Sequence, residues 1–268
     1  MRRRNVALGL VALVLAACSG GDSEAVIRAL LAHADPDTWE KLDDSNPPRR
    51  LRDPRTGITF VRVPEGEFRS GAVGQERTFR VTKPFLLAEH ELTIGQWRRY
   101  VAELGGDAAV PVPSEQVDLP MPMSWLDAQQ TCKRLGYRLP TEAEWERACR
   151  ADHDPATAPW STPALLQEHA WFNANAGTGS KPVRSRLPNA LGLYDMLGNL
   201  WEWCADWQAP LPVSTEPIVD PTGPPQGTAK ALRGGSWFTT PGAIPDTRTA
   251  GFPDERNAFY GVRPARSL

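Results

Sequence analysis

The stretch GLYDMLGNLWEWCADW, residues 192–207, alternates very large apolar side chains with acidic ones and contains three tryptophans within seven residues. Side chains along a β-strand point alternately to opposite faces. Trp201 and Trp203 should therefore share one face, while Glu202 and Cys204 should share the other. The pattern predicts a strand that packs its tryptophans into the core, but it leaves the role of the acidic side chains open.

The composition favours an irregular domain over a helical bundle. The chain has 268 residues, of which 26 are proline and 22 are glycine, and both residue types favour turns and loops. Ten tryptophans and a hydrophobic fraction of 41% can form a sizeable core. The formal net charge of -2 provides no basic excess to neutralise phosphates, so we expect no nucleic-acid partner.

The N-terminus has the pattern of an export signal. Three arginines at positions 2–4 precede an apolar run at 6–15, which is too short to span a membrane as a mature helix. The run ends in LAAC, which resembles a bacterial lipoprotein cleavage box and would make Cys18 the lipidated first residue. By the same resemblance, Ser19 rather than an aspartate after this cysteine favours the outer membrane. We expect an exported protein, attached through its lipid anchor only and facing the periplasm or cell surface; cleavage near Ala17 with plain secretion is the alternative.

The rest of the chain divides into a short N-terminal region and one large domain. Residues 1–18 are predicted as signal peptide and lipobox, and 19–54 as a tether with a short helix and a linker. The helix is indicated by apolar spacing within 24–42, and the segment 43–57 is typical of a linker. The domain is predicted to cover 55–268.

Two helices are predicted by their caps. Ser124 precedes the first, which should end near Leu135 because Gly136 follows. Thr141 and Glu144 form a capping-box pattern at the start of the second.

The remaining elements are predicted from apolar patterning. Strands are predicted over 58–64 and within 77–93, and a helix over 93–104 with Thr93 as its N-cap. Beyond residue 151 the pattern indicates only loops and short strands.

Six motifs in order give the chain a family resemblance. They are ELTIGQW, MSWLDAQQTCKRLG, RLPTEAEWERACR, GLYDMLGNLWEWCADW, LRGGSWF and YGVRPAR. Together they resemble the formylglycine-generating enzyme / sulfatase-modifying factor family over roughly residues 55–268. The resemblance implies an α+β fold, the family's variant of the C-type lectin fold, rich in loops with few helices and short mixed strands.

The resemblance also implies a structural calcium ion. Its ligands would be the side chains of Asp195 and Glu202 and the backbone carbonyls of Gly198 and Leu200. Calcium prefers six to eight oxygen ligands of this mixed kind. Capping or salt bridging by the two carboxylates without metal is the alternative. The family's second calcium site is not expected, because Trp171 replaces a ligand asparagine.

The family's oxidase chemistry lacks its ligands in this chain. The oxidase converts a sulfatase cysteine to formylglycine with copper and oxygen, using two cysteines five residues apart. Thr239 and Ile244 occupy those positions here, and neither can hold Cu(I), so copper is not expected. Three cysteines remain after Cys18, and an odd number leaves their disulfide pairing open: Cys132, Cys149 and Cys204.

A substrate groove could persist without the copper centre. The resemblance places Trp201 and Ser236 along it, and the full set of pocket candidates is Trp201, Arg233, Ser236, Trp237, Thr239 and Arg248. Ser236 would be a nucleophile only with a histidine base beside it, and the four histidines show no metal-ligand spacing, so we assign no catalytic residue. Arginines near the C-terminus could bind an anion or brace loops: Arg248, Arg256, Arg263 and Arg266.

Two functions follow from these observations. The first is an envelope-anchored lipoprotein whose domain is a non-oxidase binding or scaffold module, holding a peptide, a glycan or an envelope protein in the inherited groove. The alternative is a formylglycine-generating-type oxidase or other modifying enzyme that acts on an exported protein. Fold alone does not decide between them.

Overall fold

Short strands in three sheets form the framework of the protein. The computed structural model describes residues 39–71, 76–103, 113–153, 158–211, 214–241 and 248–268. Its strands are β1 (Glu40–Lys41), β2 (Arg50–Arg52), β3 (Thr59–Val63), β4 (Gly66–Ser70), β5 (Arg77–Val81), β6 (Phe85–Ala88), β7 (Trp201–Trp207), β8 (Ile218–Val219), β9 (Lys230–Arg233), β10 (Arg248–Gly251), β11 (Tyr260–Gly261) and β12 (Ala265–Ser267).

Two of the three sheets mix parallel and antiparallel strands, in agreement with the predicted mixed strands. The strand orders are β1-β2-β3-β6-β12, β10-β9-β7-β11 and β4-β5-β8. Most neighbours are antiparallel, but β11 pairs with β7 and β8 pairs with β5 in parallel. With few helices and long loops between short strands, the architecture confirms the predicted α+β, loop-rich fold class.

Strand β7 confirms the prediction drawn from the three tryptophans. It lies between β9 and β11 in its sheet. Trp203 packs into one hydrophobic cluster with Leu232 and Val262, while Cys204 packs into another with Leu193. Both side chains are fully buried. The strand therefore divides the core into two halves and carries side chains into each.

The three predicted helices begin at their predicted N-caps, Thr93, Ser124 and Thr141. They are α1 (Ile94–Glu103), α2 (Trp125–Leu135), α3 (Glu142–Arg150) and α4 (Pro163–His169), with a 3-10 turn at Ser114–Gln116. The Ser124 side chain accepts from the Asp127 backbone N–H, and Gly136 ends α2 in the left-handed conformation at φ 78°. The reciprocal capping box of Thr141 and Glu144 opens α3.

Two predictions of local structure are wrong. The segment 43–57, predicted as a linker, contains β2. The described residues before the predicted domain start at residue 55 include a buried tryptophan, Trp39. Trp39 is buried and its ring lies 5.1 Å from that of Phe60. The physical reason is that this indole completes the core beneath the first sheet. Helix α4 lies in a region predicted to lack helices, although Thr162 as cap and Pro163 at its first turn are ordinary start signals.

Several predictions fall outside the described residues. These concern the signal peptide, Cys18, most of the helix within 24–42, and Ile244. In the part of the chain that the structure describes, no helix is long and apolar enough to cross a membrane.

Candidate functional site

The acidic side chain between the first two tryptophans of β7 is held by a buried ion pair. Both oxygens of Glu202 accept hydrogen bonds from Arg263, at 2.7 to 3.1 Å, and Oε2 also accepts from the indole N–H of Trp145 at 2.6 Å. All three residues are buried. Strand alternation places Glu202 on the face opposite Trp203, where this pairing neutralises it.

Two further carboxylates lie in the same region. Glu91 accepts from the backbone N–H of Leu200 and from the side-chain amide of Asn199, both at 3.0 Å. Asp195, in a left-handed backbone conformation at φ 55°, accepts from the backbone N–H of Arg184 at 2.7 Å. Glu91 was missed by the sequence reasoning, although it lies within the motif ELTIGQW.

The three carboxylates form a buried cluster, here called the acidic cluster: Glu91, Asp195 and Glu202. Burial and then repulsion from Asp195 and Glu202 raise the pKa of Glu91 well above its usual value. Burial likewise raises the pKa of Asp195 to about 6, and Glu202 adds to the rise. The guanidinium of Arg263 opposes both shifts without cancelling them. With all three carboxyl groups ionised, the cluster would carry more negative charge than Arg263 neutralises, and the raised pKa values reflect the cost of that state.

This charge excess fits the expected calcium ion. The loop between Asp195 and Glu202 packs closely against the backbone of Trp171. A Cβ on Gly198 would lie 2.0 Å from the carbonyl oxygen of Trp171. Among the described residues, no three or more His, Cys, Asp and Glu side chains converge as a metal site. The expected ion draws on two backbone carbonyls as well, and Glu202 would have to share its oxygens with Arg263. The calcium site therefore remains a prediction.

The position of the family's first copper cysteine is occupied by a residue that closes a turn. The Thr239 hydroxyl accepts from the backbone N–H of Ser236 at 2.8 Å, and the Thr239 N–H donates to the Ser236 carbonyl at 2.9 Å. The Ser236 hydroxyl in turn accepts from the backbone N–H of Phe238 at 3.3 Å. Ser236 and Thr239 thus bond to each other and to the local backbone, and neither bonds to a histidine of the described ranges.

An exposed aromatic surface adjoins this turn. Trp237 stacks on Phe259 with ring centroids 5.0 Å apart, and Phe238 packs beside both rings at 5.7 and 5.8 Å. Phe238 is 66% exposed. We call these three rings the aromatic platform. Half-buried Trp201 is joined to it, since its backbone N–H donates to the Phe259 carbonyl.

The structure brings together four of the six pocket candidates. Trp201, Ser236, Trp237 and Thr239 lie along the turn and the aromatic platform, which together we call the groove. The other two candidates lie elsewhere, as the following contacts show.

Arg233 and Arg248 do not reach the groove. They face each other across β9 and β10 and contact helix α3. Arg233 is 1% exposed and pairs with Glu146 at 3.0 Å, while Arg248 donates to both oxygens of Glu142. Carboxylates of α3 hold both guanidinium groups, so the structure places Arg233 and Arg248 apart from the other four candidates. Of the C-terminal arginines, Arg263 likewise serves the fold rather than an anion.

The remaining thiols are buried in the core. Cys132, Cys149 and Cys204 are free cysteines within the described part of the chain. Burial raises the pKa of Cys132 and Cys149 to about 12, and that of Cys204 well above its usual value. A thiolate at neutral pH is therefore unavailable from these three residues.

Comparison with known proteins connects this geometry to a family. Residues 48–268 match the family model of the sulfatase-modifying factor enzyme 1-like domain. The formylglycine-generating enzyme of Thermomonospora curvata is 37% identical over 162 residues, which is 53% of this chain and 54% of that protein. The chain thus spans about half the length of the curated relatives that it matches.

Two solved structures share the fold at 25% sequence identity. Treponema denticola variable protein 1 has a TM-score of 0.68, with coverage of 79% of this chain and 95% of that chain. PvdO from Pseudomonas aeruginosa has a TM-score of 0.66, with coverage of 82% and 98%.

Proposed function

The chain belongs to the sulfatase-modifying factor enzyme 1-like family, and from this premise we propose that it is a non-oxidase binding module of that family. The observation that carries the proposal is the hydrogen-bonded turn at Thr239, where the family's oxidase needs a thiolate for Cu(I). A hydroxyl that accepts a backbone hydrogen bond supplies no redox chemistry. The buried thiols of the core cannot replace it, because burial keeps them protonated.

The ligand of the groove is proposed to be a peptide segment of an envelope protein. The aromatic platform offers exposed Phe238 and stacked Trp237 beside a turn. Aromatic side chains are enriched where proteins bind proteins, because a rigid ring buries a large area at little entropic cost. A glycan or a folded partner could use the same rings, and the test below separates these occupants.

The module is proposed to be an exported lipoprotein. The support is the LAAC sequence at 15–18, which follows an apolar run and precedes a polar tether. Cys18 would carry the lipid, and Ser19 favours retention in the outer membrane. Metabolic labelling with a fatty acid should mark the wild type and leave Cys18→Ser unlabelled.

A structural calcium ion is proposed at the acidic cluster. Asp195, Glu202 and the carbonyls of Gly198 and Leu200 would hold it, and the ion would neutralise the excess charge that Arg263 leaves. Its role would be to pin the loop before β7 onto the core. Copper is not part of the proposal.

Selection from a displayed library of random peptides tests the binding function on the full-length protein in detergent. Peptides selected on the wild type should bind Phe238→Ser about tenfold or more weakly, which corresponds to about 1.4 kcal/mol. Phe252→Ser is the matched control, since Phe252 is 62% exposed but is not part of the aromatic platform. Selection of no peptide, or equal loss in both variants, would overturn the peptide proposal. Binding to a glycan array alone would replace the peptide by a carbohydrate.

A further inference from the structure

A concavity lies at the C-terminal end of β7, on residues that the groove does not use. Its volume is about 360 Å³, within the range of small-molecule sites. Its main lining residues are Phe68, Phe79, Trp207, Glu142, Asp206 and Arg248. We call this space the β7 cavity.

One wall of the β7 cavity is apolar. Phe68 and Phe79 face each other across β4 and β5, and their rings stack with centroids 5.4 Å apart and an angle of 13° between the planes. Trp207 is half-buried at the end of β7, and Leu211 adds an aliphatic surface. This wall suits the body of an aromatic or apolar ligand.

The acidic residues of the cavity differ in how they are neutralised. Glu142 accepts from Arg248 at 2.7 Å. Glu146 pairs with Arg150 at 2.7 Å and with Arg233 at 3.0 Å. These two carboxylates therefore have cationic partners within the protein.

Asp206 is the exception. It is 4% exposed, and its Oδ2 accepts from the backbone N–H of Glu142 at 2.9 Å. Within the described ranges it forms no ion pair. The nearby ammonium of Lys230 lies over the rings of Trp125 and Trp207, at 4.1 and 3.7 Å, and donates to the Ala205 carbonyl. The charge of Asp206 still acts on Lys230, where it raises the pKa against the larger lowering caused by burial. Because the ammonium donates elsewhere, the hydrogen bonds to the carboxylate come from the backbone, and the site favours a further positive charge brought by a ligand.

We propose that the β7 cavity binds a small organic cation, an amine or amidine carried on an aromatic or apolar body. The positive group pairs with Asp206, and the body lies against Phe68, Phe79 and Trp207. Charge and shape act together here, because the aromatic faces also attract a cation. Burial raises the pKa of Asp206 to about 6, so the carboxylate is available at neutral pH and gains from pairing.

Calorimetric titration of the full-length protein with benzamidine tests the proposal. Benzamide and benzoate are the neutral and anionic probes of nearly the same shape. Benzamidine should bind at least about tenfold more tightly than either. Failure of benzamidine to bind, or equal affinity for benzamide, would overturn the proposal.

Two variants locate the site. Asp206→Asn keeps an acceptor for the Glu142 N–H but removes the charge, and should weaken benzamidine about tenfold, whereas Asp220→Asn should not. Asp220 is the matched control because it is an exposed carboxylate that accepts from the Thr82 backbone at 2.8 Å. Thr222→Trp narrows the cavity from an exposed position and should also weaken binding. Unchanged affinity in Asp206→Asn or in Thr222→Trp would contradict the assignment.

Discussion

Arg263 donates hydrogen bonds to both carboxylate oxygens of Glu202, at 2.7 to 3.1 Å, and both side chains are 1% exposed or less. The same guanidinium donates to the carbonyls of Ala88 at 3.0 Å and Tyr194 at 2.7 Å. It therefore ties β7 to the end of β6 and to the loop that precedes β7. The ion pair explains why tryptophan and glutamate alternate along β7. The indole of Trp203 packs into one half of the core, and the pair of Glu202 with Arg263 holds the opposite face of the strand in place.

Replacement of Arg263 by Met should cost about 3 to 5 kcal/mol of the free energy of unfolding, because it leaves a buried carboxylate unpaired beside two others. Urea denaturation measures the change. Arg80→Met is the matched control, since Arg80 forms a similar pair with Glu67 that is about half exposed. That variant should lose less than about 1 kcal/mol. Similar losses in the two variants would show that the buried pair contributes no more to the free energy of unfolding than the exposed pair does.

Gly198→Ala should destabilise far more than Gly177→Ala. Both glycines have positive φ, 77° and 68°, so each substitution carries a similar backbone strain of about 1 to 2 kcal/mol. A Cβ on Gly198 would also lie 2.0 Å from the Trp171 carbonyl oxygen, whereas one on Gly177 would meet nothing within 4 Å. Thermal denaturation measures both. Equal losses would mean that the loop can move away from Trp171.

The sequence predicted those elements whose determinants are local. Ser124, Thr141 and Gly136 act within one helical turn of their own position, so both ends of α2 and the start of α3 were correct. The strand alternation of β7 is equally local, and it was correct as well. Six motifs in order sufficed to predict the family and with it the fold.

What depends on distant partners could not be predicted. Trp39 packs on Phe60 and Tyr137, which are remote in sequence, so the segment before residue 55 looked like a linker. Arg233 and Arg248 were placed in the groove because only folding brings them to the carboxylates of α3. No pattern in the sequence around Glu91 or Asp206 predicted that these carboxylates are buried. The cost of isolating a charge depends on the three-dimensional surroundings, and no sequence pattern reports it.

The buried His90 should make the protein less stable as the pH falls. Burial lowers the pKa of His90 from 6.5 to about 4, and the ring lies 2.7 Å from the Glu91 carbonyl. The imidazole of His90 binds a proton more readily in the unfolded chain than in the folded protein. The free energy of unfolding is therefore highest above pH 6.5 and falls as the pH approaches 4. Relative to His90→Asn, the wild type should lose about 2 kcal/mol between pH 7.5 and 5.

His169→Asn is the control for this pH dependence. His169 also lies within hydrogen-bond distance of a carbonyl, that of Leu187 at 3.1 Å, but its side chain is only half-buried. Denaturant midpoints at several pH values should separate the two variants. A wild-type profile parallel to that of His90→Asn would contradict the prediction.

Calcium should raise the melting temperature of the full-length protein, and a chelator should lower it. An ion that binds only the folded state at a hundred times its Kd adds about 2.7 kcal/mol of stability. Asp195→Asn removes one expected ligand charge and should abolish the calcium effect. Replacement of Asp127 by Asn, at the start of α2 and away from the acidic cluster, should retain it. No response of the wild type to calcium would contradict the proposed calcium site.

This chain keeps the family's fold, and we propose that it lacks the family's copper oxidase chemistry. The most direct measurement is incubation of the full-length protein with copper, oxygen, a thiol reductant and a peptide containing Cys-x-Pro-x-Arg, followed by mass spectrometry for the aldehyde. The formylglycine-generating enzyme of Thermomonospora curvata serves as the positive control. We predict no aldehyde from this protein while the control converts the peptide. Conversion by this protein would contradict the claim, because it would place formylglycine chemistry in a groove where Thr239 replaces the thiolate.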